Sequence, residues 1–138
     1  MQSRKPPRAM LRRFSAFNIF IYRISGGRFM GRRNDLPLLL LSTTGRSSGA
    51  LHTVPLVYLR DGERYIVMPG VYERPDWYLN LKANPGVQIQ VGSVQFAVVG
   101  EEVTGSERER LWRQVPQYWR DYQEQYSQRL PVMVLQPS

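Results

Sequence analysis

The segment Ser42-Thr43-Thr44-Gly45-Arg46-Ser47-Ser48-Gly49 lies between two apolar runs, Leu38-Leu39-Leu40-Leu41 and Val54-Pro55-Leu56. Its residue types suit an anion. Hydroxyls at Ser47 and Ser48 and the backbone N–H groups can donate to acidic oxygens, and Arg46 adds a forked, charge-assisted contact. Gly45 and Gly49 let the backbone turn tightly and approach a ligand closely. That is the chemistry of a phosphate clasp. The same residues also make an ordinary hairpin turn with a solvated arginine, and spacing alone leaves both readings open.

A second run, Trp77-Tyr78-Leu79-Asn80-Leu81-Lys82-Ala83-Asn84-Pro85, places Trp77 and Leu81 on one helical face with Asn80 and Asn84 close beside it. Trp77 and Asn80 suit either a core helix or the border of a planar ligand. Tyr118, Tyr122 and Tyr126 recur every four residues and share one helical face. They read as an amphipathic stripe, or as the wall of a pocket whose phenolic O–H groups donate a hydrogen bond or a proton. No nucleophile–base pair is visible. His52 is the single histidine and there is no cysteine, so thiol chemistry and disulfides are excluded, and no cluster has metal-ligand spacing. If the chain is an enzyme, a bound cofactor carries the reaction and the protein supplies orientation and electrostatics.

The elements that hold these residues follow from apolar patterning. Strands are expected at Leu36–Ser42, Leu51–Arg60, Tyr65–Met68, Val87–Val91, Val94–Val99 and Pro131–Gln136, with turns at Asp61-Gly62 and Gly92-Ser93. Pro75 can open a short helix over Asp76 to Ala83, closed by Asn84-Pro85-Gly86. Thr104-Gly105-Ser106-Glu107 has the spacing of a capping box before a helix reaching about Gln114. After Pro116 a further helical piece is expected to carry all three tyrosines. Hairpin spacing implies antiparallel pairing, and closing a small sheet removes its edges. The expected fold is mainly β with α: a β-barrel of about six antiparallel strands with peripheral helices.

The 138 residues suit one cofactor-binding domain at 35–138, preceded by a basic amphipathic arm and helix at 1–34. The formal charge is +8, and residues 1–35 hold nine cations against the single carboxylate Asp35, so the remainder is neutral. Localised charge of this kind argues against specific nucleic-acid binding by the globular part. In the arm, Met10, Phe14, Phe17, Ile21 and Ile24 form one helical stripe, widened by Phe20 and stopped at Gly26-Gly27. Three readings stay open for it: core packing, an anionic membrane surface contacted through residues 1–33, or a targeting arm without the apolar run and cleavage site of a secretory signal. No apolar stretch approaches the roughly 18 residues of a spanning helix. The expected location is cytoplasmic, with the inner membrane face open, and the expected assembly is a monomer or a homodimer.

Taken in order, the loop at 38–49, Val54-Pro55-Leu56 and the run from Trp77 to Pro85 resemble the deazaflavin-dependent nitroreductase family, also described as coenzyme F-420-dependent quinone reductases of actinobacterial type. Tyr22-Arg23-Ile24-Ser25-Gly26-Gly27 and Leu130-Pro131-Val132-Met133-Val134 extend the likeness from about residue 15 onward. The resemblance implies a split β-barrel of the flavin-reductase type. It also implies a deazaflavin cofactor with hydride carried at C5 and an acidic, phosphate-bearing tail, together with a quinone, nitroaromatic or activated alkene as small-molecule electron acceptor. Carried over by position, Arg46, Ser47, Ser48 and Gly49 contact phosphate, and His52 stands where an arginine often binds the tail. Met68, Pro69 and Gly70 lie beside the ring, and Trp77 and Asn80 lie on the helix near the cofactor. Tyr118, Tyr122 and Tyr126 face the substrate. Two departures stand out: Ser47 replaces a usual lysine, and Pro69-Gly70-Val71-Tyr72-Glu73-Arg74 replaces a Ser-Lys-Gly-Gly-like loop. Each lost charge-assisted bond is worth about 1.5–3 kcal/mol, so weak deazaflavin binding or another flavin stays open; the alternatives are FMN or haem in the same barrel, and a non-enzymatic module docking anionic membrane through residues 1–33. Arg74 can restore one cation if its loop folds back.

Overall fold

The computed structural model describes residues 19–28, 31–33, 36–70 and 74–138. In chain order these form α1 (residues 19–25), β1 (Arg32–Arg33), β2 (Leu36–Thr44), β3 (Leu51–Val57), β4 (Leu59–Asp61) and β5 (Arg64–Val67), then α2 (Asp76–Ala83), β6 (Gly86–Val91), β7 (Val94–Val103), α3 (Gly105–Trp112), α4 (Gln117–Glu124) and β8 (Val132–Pro137). The eight strands are the six expected, plus β1 and the division of one strand at Tyr58.

That division closes the sheet. Hydrogen-bonded neighbours run β2-β6-β7-β8-β5-β4, and β3 pairs with β2. Because β3 and β4 are consecutive halves of one segment, residues 51–61 lie at both ends of the path, and the sheet curls into a split β-barrel. The pairings are antiparallel throughout the described strands. β7 runs past the expected Val99 to Val103 because its first part pairs with β6 and its second with β8.

Period-two patterning sorts side chains to the two faces of this wall. Leu39, Leu41, Tyr65, Val67, Val87, Ile89, Val98, Met133 and Leu135 point to one buried cluster, plugged by Trp77, Tyr78 and Leu81 of α2. The alternate residues Leu38, Leu40, Val57, Ile66, Val132 and Val134 face a second cluster, covered by Tyr22, Leu111 and Trp119 from the other helices. Both faces of β2 are therefore buried, which explains its four consecutive leucines.

Three local expectations are corrected. In α1 the inward residues are Ile19 and Tyr22, whereas Phe20 and Ile24 are 59% and 66% exposed. The Tyr22 hydroxyl sets this rotation by donating to Leu38 O at 3.0 Å and accepting from Gly92 N at 2.8 Å. Met10, Phe14 and Phe17 of the expected stripe lie outside the described residues. No capping bond from the Thr104 side chain forms at α3, and the Glu107 carboxylate, which would complete the box, is taken by Arg64 at 2.7 Å and Arg110 at 2.8 Å. Asp61 joins them, bonding Arg64 and, at 2.9 Å, Arg110, and its carboxyl is held well below the usual range by those two guanidinium groups. Finally, α4 ends at Glu124, so Tyr126 lies beyond it. The Gln123 side chain ties down the following turn, accepting from Leu130 N at 2.6 Å and donating to Gln128 O at 2.8 Å. Among the described residues no helix is long and apolar enough to cross a membrane, and no group of His, Cys, Asp or Glu could hold a metal ion.

Candidate active site

The β2–β3 loop is closed by its own backbone. Gly45 N donates to Ala50 O at 2.7 Å, and Gly49 N to Gly45 O at 2.9 Å. Ala50 N donates to Ser48 Oγ at 3.1 Å. Gly45 is buried where a Cβ would stand 2.6 Å from Ser48 Oγ and 3.0 Å from His52 Nε2, so only glycine lets these two side chains close over the turn. Gly49 is required for its conformation, φ +73°, with open space around it. Its N–H is already spent inside the loop. The amides of Ser47 and Ser48 have no acceptor among the described residues, and both side chains are exposed. Ser48 Oγ accepts from Ala50 N, which leaves its own proton able to donate. His52 is exposed at the start of β3, paired with Thr43 across the ladder.

Helix α2 holds Arg46 from beneath. Asn80, only 3% exposed, accepts at Oδ1 from Arg46 N at 3.1 Å and from Arg46 Nη1 at 2.8 Å. Its Nδ2 donates to Thr43 Oγ1 at 3.4 Å. One turn earlier, Asp76 Oδ1 accepts from Arg46 Nη2 at 3.4 Å. A guanidinium has five N–H donors, so these bonds leave the rest of Arg46 available. In sequence, Asp76 reads only as a helix start. The Asp76/Asn80 spacing of four residues on one face was the signal that could have linked it to the loop.

α2 is itself locked to the barrel. Leu81 sits in a notch at Gly100, where a Cβ would lie 2.5 Å from Leu81 Cδ1. Glu102 accepts from Tyr78 Oη at 2.6 Å and Lys82 Nζ at 3.2 Å. Burial, reinforced by the Glu102 carboxylate, pushes the Tyr78 hydroxyl up to about 12, so it stays a donor. Trp77 is buried in the inner cluster, edge-on to Tyr78 with ring centres 6.4 Å apart.

The remaining site residues gather at the exit of β5. Met68 and Pro69 are buried, and Gly70 lies flat against Tyr122, whose ring carbons a Cβ would approach to 3.1 Å. Tyr126 Oη donates to Gly70 O at 2.7 Å. Tyr118 and Tyr122 meet edge to face, with ring centres 5.1 Å and hydroxyls 3.5 Å apart. The structure thus brings Arg46 and Asn80 together, seats Ser48 and His52 over Gly45, and gathers Met68–Gly70 with the three tyrosines. Val71, Tyr72 and Glu73 lie outside the described residues. Arg74, exposed, leads directly into α2. A cofactor spanning both groups would meet cationic and hydroxyl donors at one end and aromatic walls at the other.

Comparison with known proteins identifies the family and the fold. Residues 15–137 match the family model described as F420H(2)-dependent quinone reductase. An F420H(2)-dependent quinone reductase of Mycobacterium tuberculosis is 39% identical over 126 residues, covering 83% of this chain and 84% of the relative. A solved F420-H2-dependent reductase superposes with TM-score 0.65 at 30% identity, covering 72% of this chain and 94% of the other. A chain solved as a domain-swapped dimer gives TM-score 0.68 at 27% identity, over 95% of this chain and all of the other.

Proposed function

The chain belongs to the F420H(2)-dependent quinone reductase family, and from that premise we propose that it binds reduced coenzyme F-420 and passes its reducing equivalents to a small quinone-type acceptor. The observation that carries this reading is the donor set of the β2–β3 loop: an arginine fixed on a buried asparagine, followed by two exposed serines whose amides have no acceptor among the described residues. Its chemistry matches an acidic, phosphate-bearing tail. Asp76 already rests a carboxylate oxygen on Arg46, a contact of the kind an acidic tail would make.

When bound, the deazaflavin supplies a hydride from C5. The protein's tasks are to hold the tail, flatten the ring against the barrel and move a proton. Arg46, Ser47 and Ser48 bind. Asn80 orients Arg46, so that little side-chain freedom is lost on binding. Met68, Pro69 and Gly70 form the wall beside the ring, with Gly70 letting Tyr122 pack against that wall. Tyr126 commits its proton to Gly70 O and positions that wall. Tyr118 and Tyr122, with adjacent hydroxyls, are the donors assigned to protonate the reduced acceptor. Confinement beside the aromatic wall supplies proximity. Nitroaromatics and activated alkenes, being planar acceptors, fit the same tyrosine wall.

Titration with the coenzyme, followed by quenching of tryptophan or cofactor fluorescence, tests the binding. Saturation is expected, with an affinity that Arg46→Ala weakens about 10- to 150-fold, the worth of one charge-assisted bond. Anaerobic oxidation of the reduced coenzyme by menadione tests the reaction. Absence of saturable binding overturns the assignment.

A further inference from the structure

Arg46 is held by two partners of different character. Asn80 is neutral and buried, and it grips both the backbone and the guanidinium of Arg46 at 3.1 and 2.8 Å. Asp76 is charged, its side chain is 50% exposed, and its contact is 3.4 Å. A well-formed guanidinium–carboxylate bond is about 2.7–2.9 Å, and exposed ion pairs are worth little. The Asn80 contact is therefore the firmer anchor, and the Asp76 contact is the weaker of the two and the more readily exchanged.

Accepting the function above, we propose that Asp76 is a specificity-determining residue: its carboxylate competes with the ligand's anionic tail for Arg46, so that the loop accepts a strongly anionic tail and rejects weaker anions. A single carboxylate on a ligand offers Arg46 no more than Asp76 already does. A phosphate, with more charge and more acceptor oxygens, gains on the exchange and also reaches Ser47 and Ser48. The geometry makes the competition local, because Asp76 and Asn80 are one turn apart on α2 and share the same guanidinium. Asp76 acts through Arg46 and need not touch the ligand.

The test is a fluorescence titration of wild type, Asp76→Asn and Asp76→Glu with intact coenzyme F-420 and with the deazaflavin nucleoside analogue lacking phosphate and glutamates. Each is measured at low and high salt, with a thermal midpoint for every variant. Removing a half-exposed competing charge is expected to tighten binding of the intact coenzyme about two- to five-fold. The gain shrinks at high salt, where a Debye length of about 3 Å at 1 M screens exposed charges. The tail-less analogue is expected to bind all three proteins alike, and Asp76→Glu to behave as wild type. Unchanged or weaker binding of the coenzyme by Asp76→Asn overturns the inference, as does an equal change for both ligands, which a shift of the whole helix would give. Wild type binding neither ligand overturns the function itself, and the competition with it.

Discussion

Replacing Gly100 by alanine is the sharpest way to test whether the β7–α2 contact governs the site. The added Cβ would stand 2.5, 2.8 and 2.9 Å from Leu81 Cδ1, Cγ and Cδ2. Carbon atoms pack at about 3.5–4.0 Å, so the overlap is close to 1 Å. Leu81 is 1% exposed, enclosed by its neighbours, so relief of the clash is expected to lift α2 from β7. Overpacking of this kind costs about 1–3 kcal/mol. Leu81→Ala removes the opposing side chain and costs about 2–5 kcal/mol by cavity formation. If the clash is the cause, adding Gly100→Ala to Leu81→Ala costs close to nothing, because the new methyl enters the cavity. The double-mutant cycle then shows a coupling of about 1–3 kcal/mol. Urea denaturation of the four proteins measures it. Additive single-variant losses would refute the argument, because they would place the cost of Gly100→Ala in the strand backbone instead. The same lift carries Asn80 and Asp76 away from Arg46, so Gly100→Ala alone is also expected to weaken coenzyme binding, measured by the same fluorescence titration.

Three further outcomes follow from the contacts described. Asn80→Ala frees Arg46 from its anchor, and restoring one side chain's mobility predicts binding of the coenzyme about 2- to 12-fold weaker, read by fluorescence titration. Tyr22→Phe leaves Gly92 N and Leu38 O without their buried partner, an expected loss of about 1–3 kcal/mol in urea denaturation. Limited proteolysis would then cut faster around residue 25. Asp61 is held below its ordinary value, and Glu107 down to about 2, by their bonds to Arg110 and Arg64. At acid pH the unfolded chain therefore binds more protons than the folded one, so stability rises with pH there. The contribution is complete above the ordinary carboxylate range, near 4, and is lost as pH falls toward 2. Urea midpoints measured from pH 6 to pH 2 are expected to fall less steeply in Asp61→Asn than in wild type.

Much of this molecule is legible from local pattern. Strand positions follow from alternation, turns from Asp61-Gly62 and Gly92-Ser93, and α2 from Pro75 and Asn84-Pro85. These signals lie within a few residues of what they specify. The donor character of Arg46, Ser47 and Ser48 was likewise visible in residue type alone. The break at Tyr58 was not, because it arises where one segment must pair with β2 at one end and β5 at the other. Nor was the fate of Glu107, whose spacing suits a cap but whose carboxylate finds two arginines, one of them 43 residues away. Two strong cationic donors outcompete one backbone N–H.

The same division holds for the site. Sequence by itself determined which side chains could grip an anion, which rings could wall a planar ligand, and that no thiol was at hand. Tertiary structure alone decided that Asn80 supports Arg46, that Asp76 shares its guanidinium, that Trp77 is core, and that Gly70 meets Tyr122 and Tyr126. The reason is separation along the chain: Arg46 and Asn80 are 34 residues apart, and Gly70 and Tyr126 are 56. Local propensity carries no information over such distances. Only closure of the barrel, with α2 seated in the Gly100 notch, brings those groups within bonding reach.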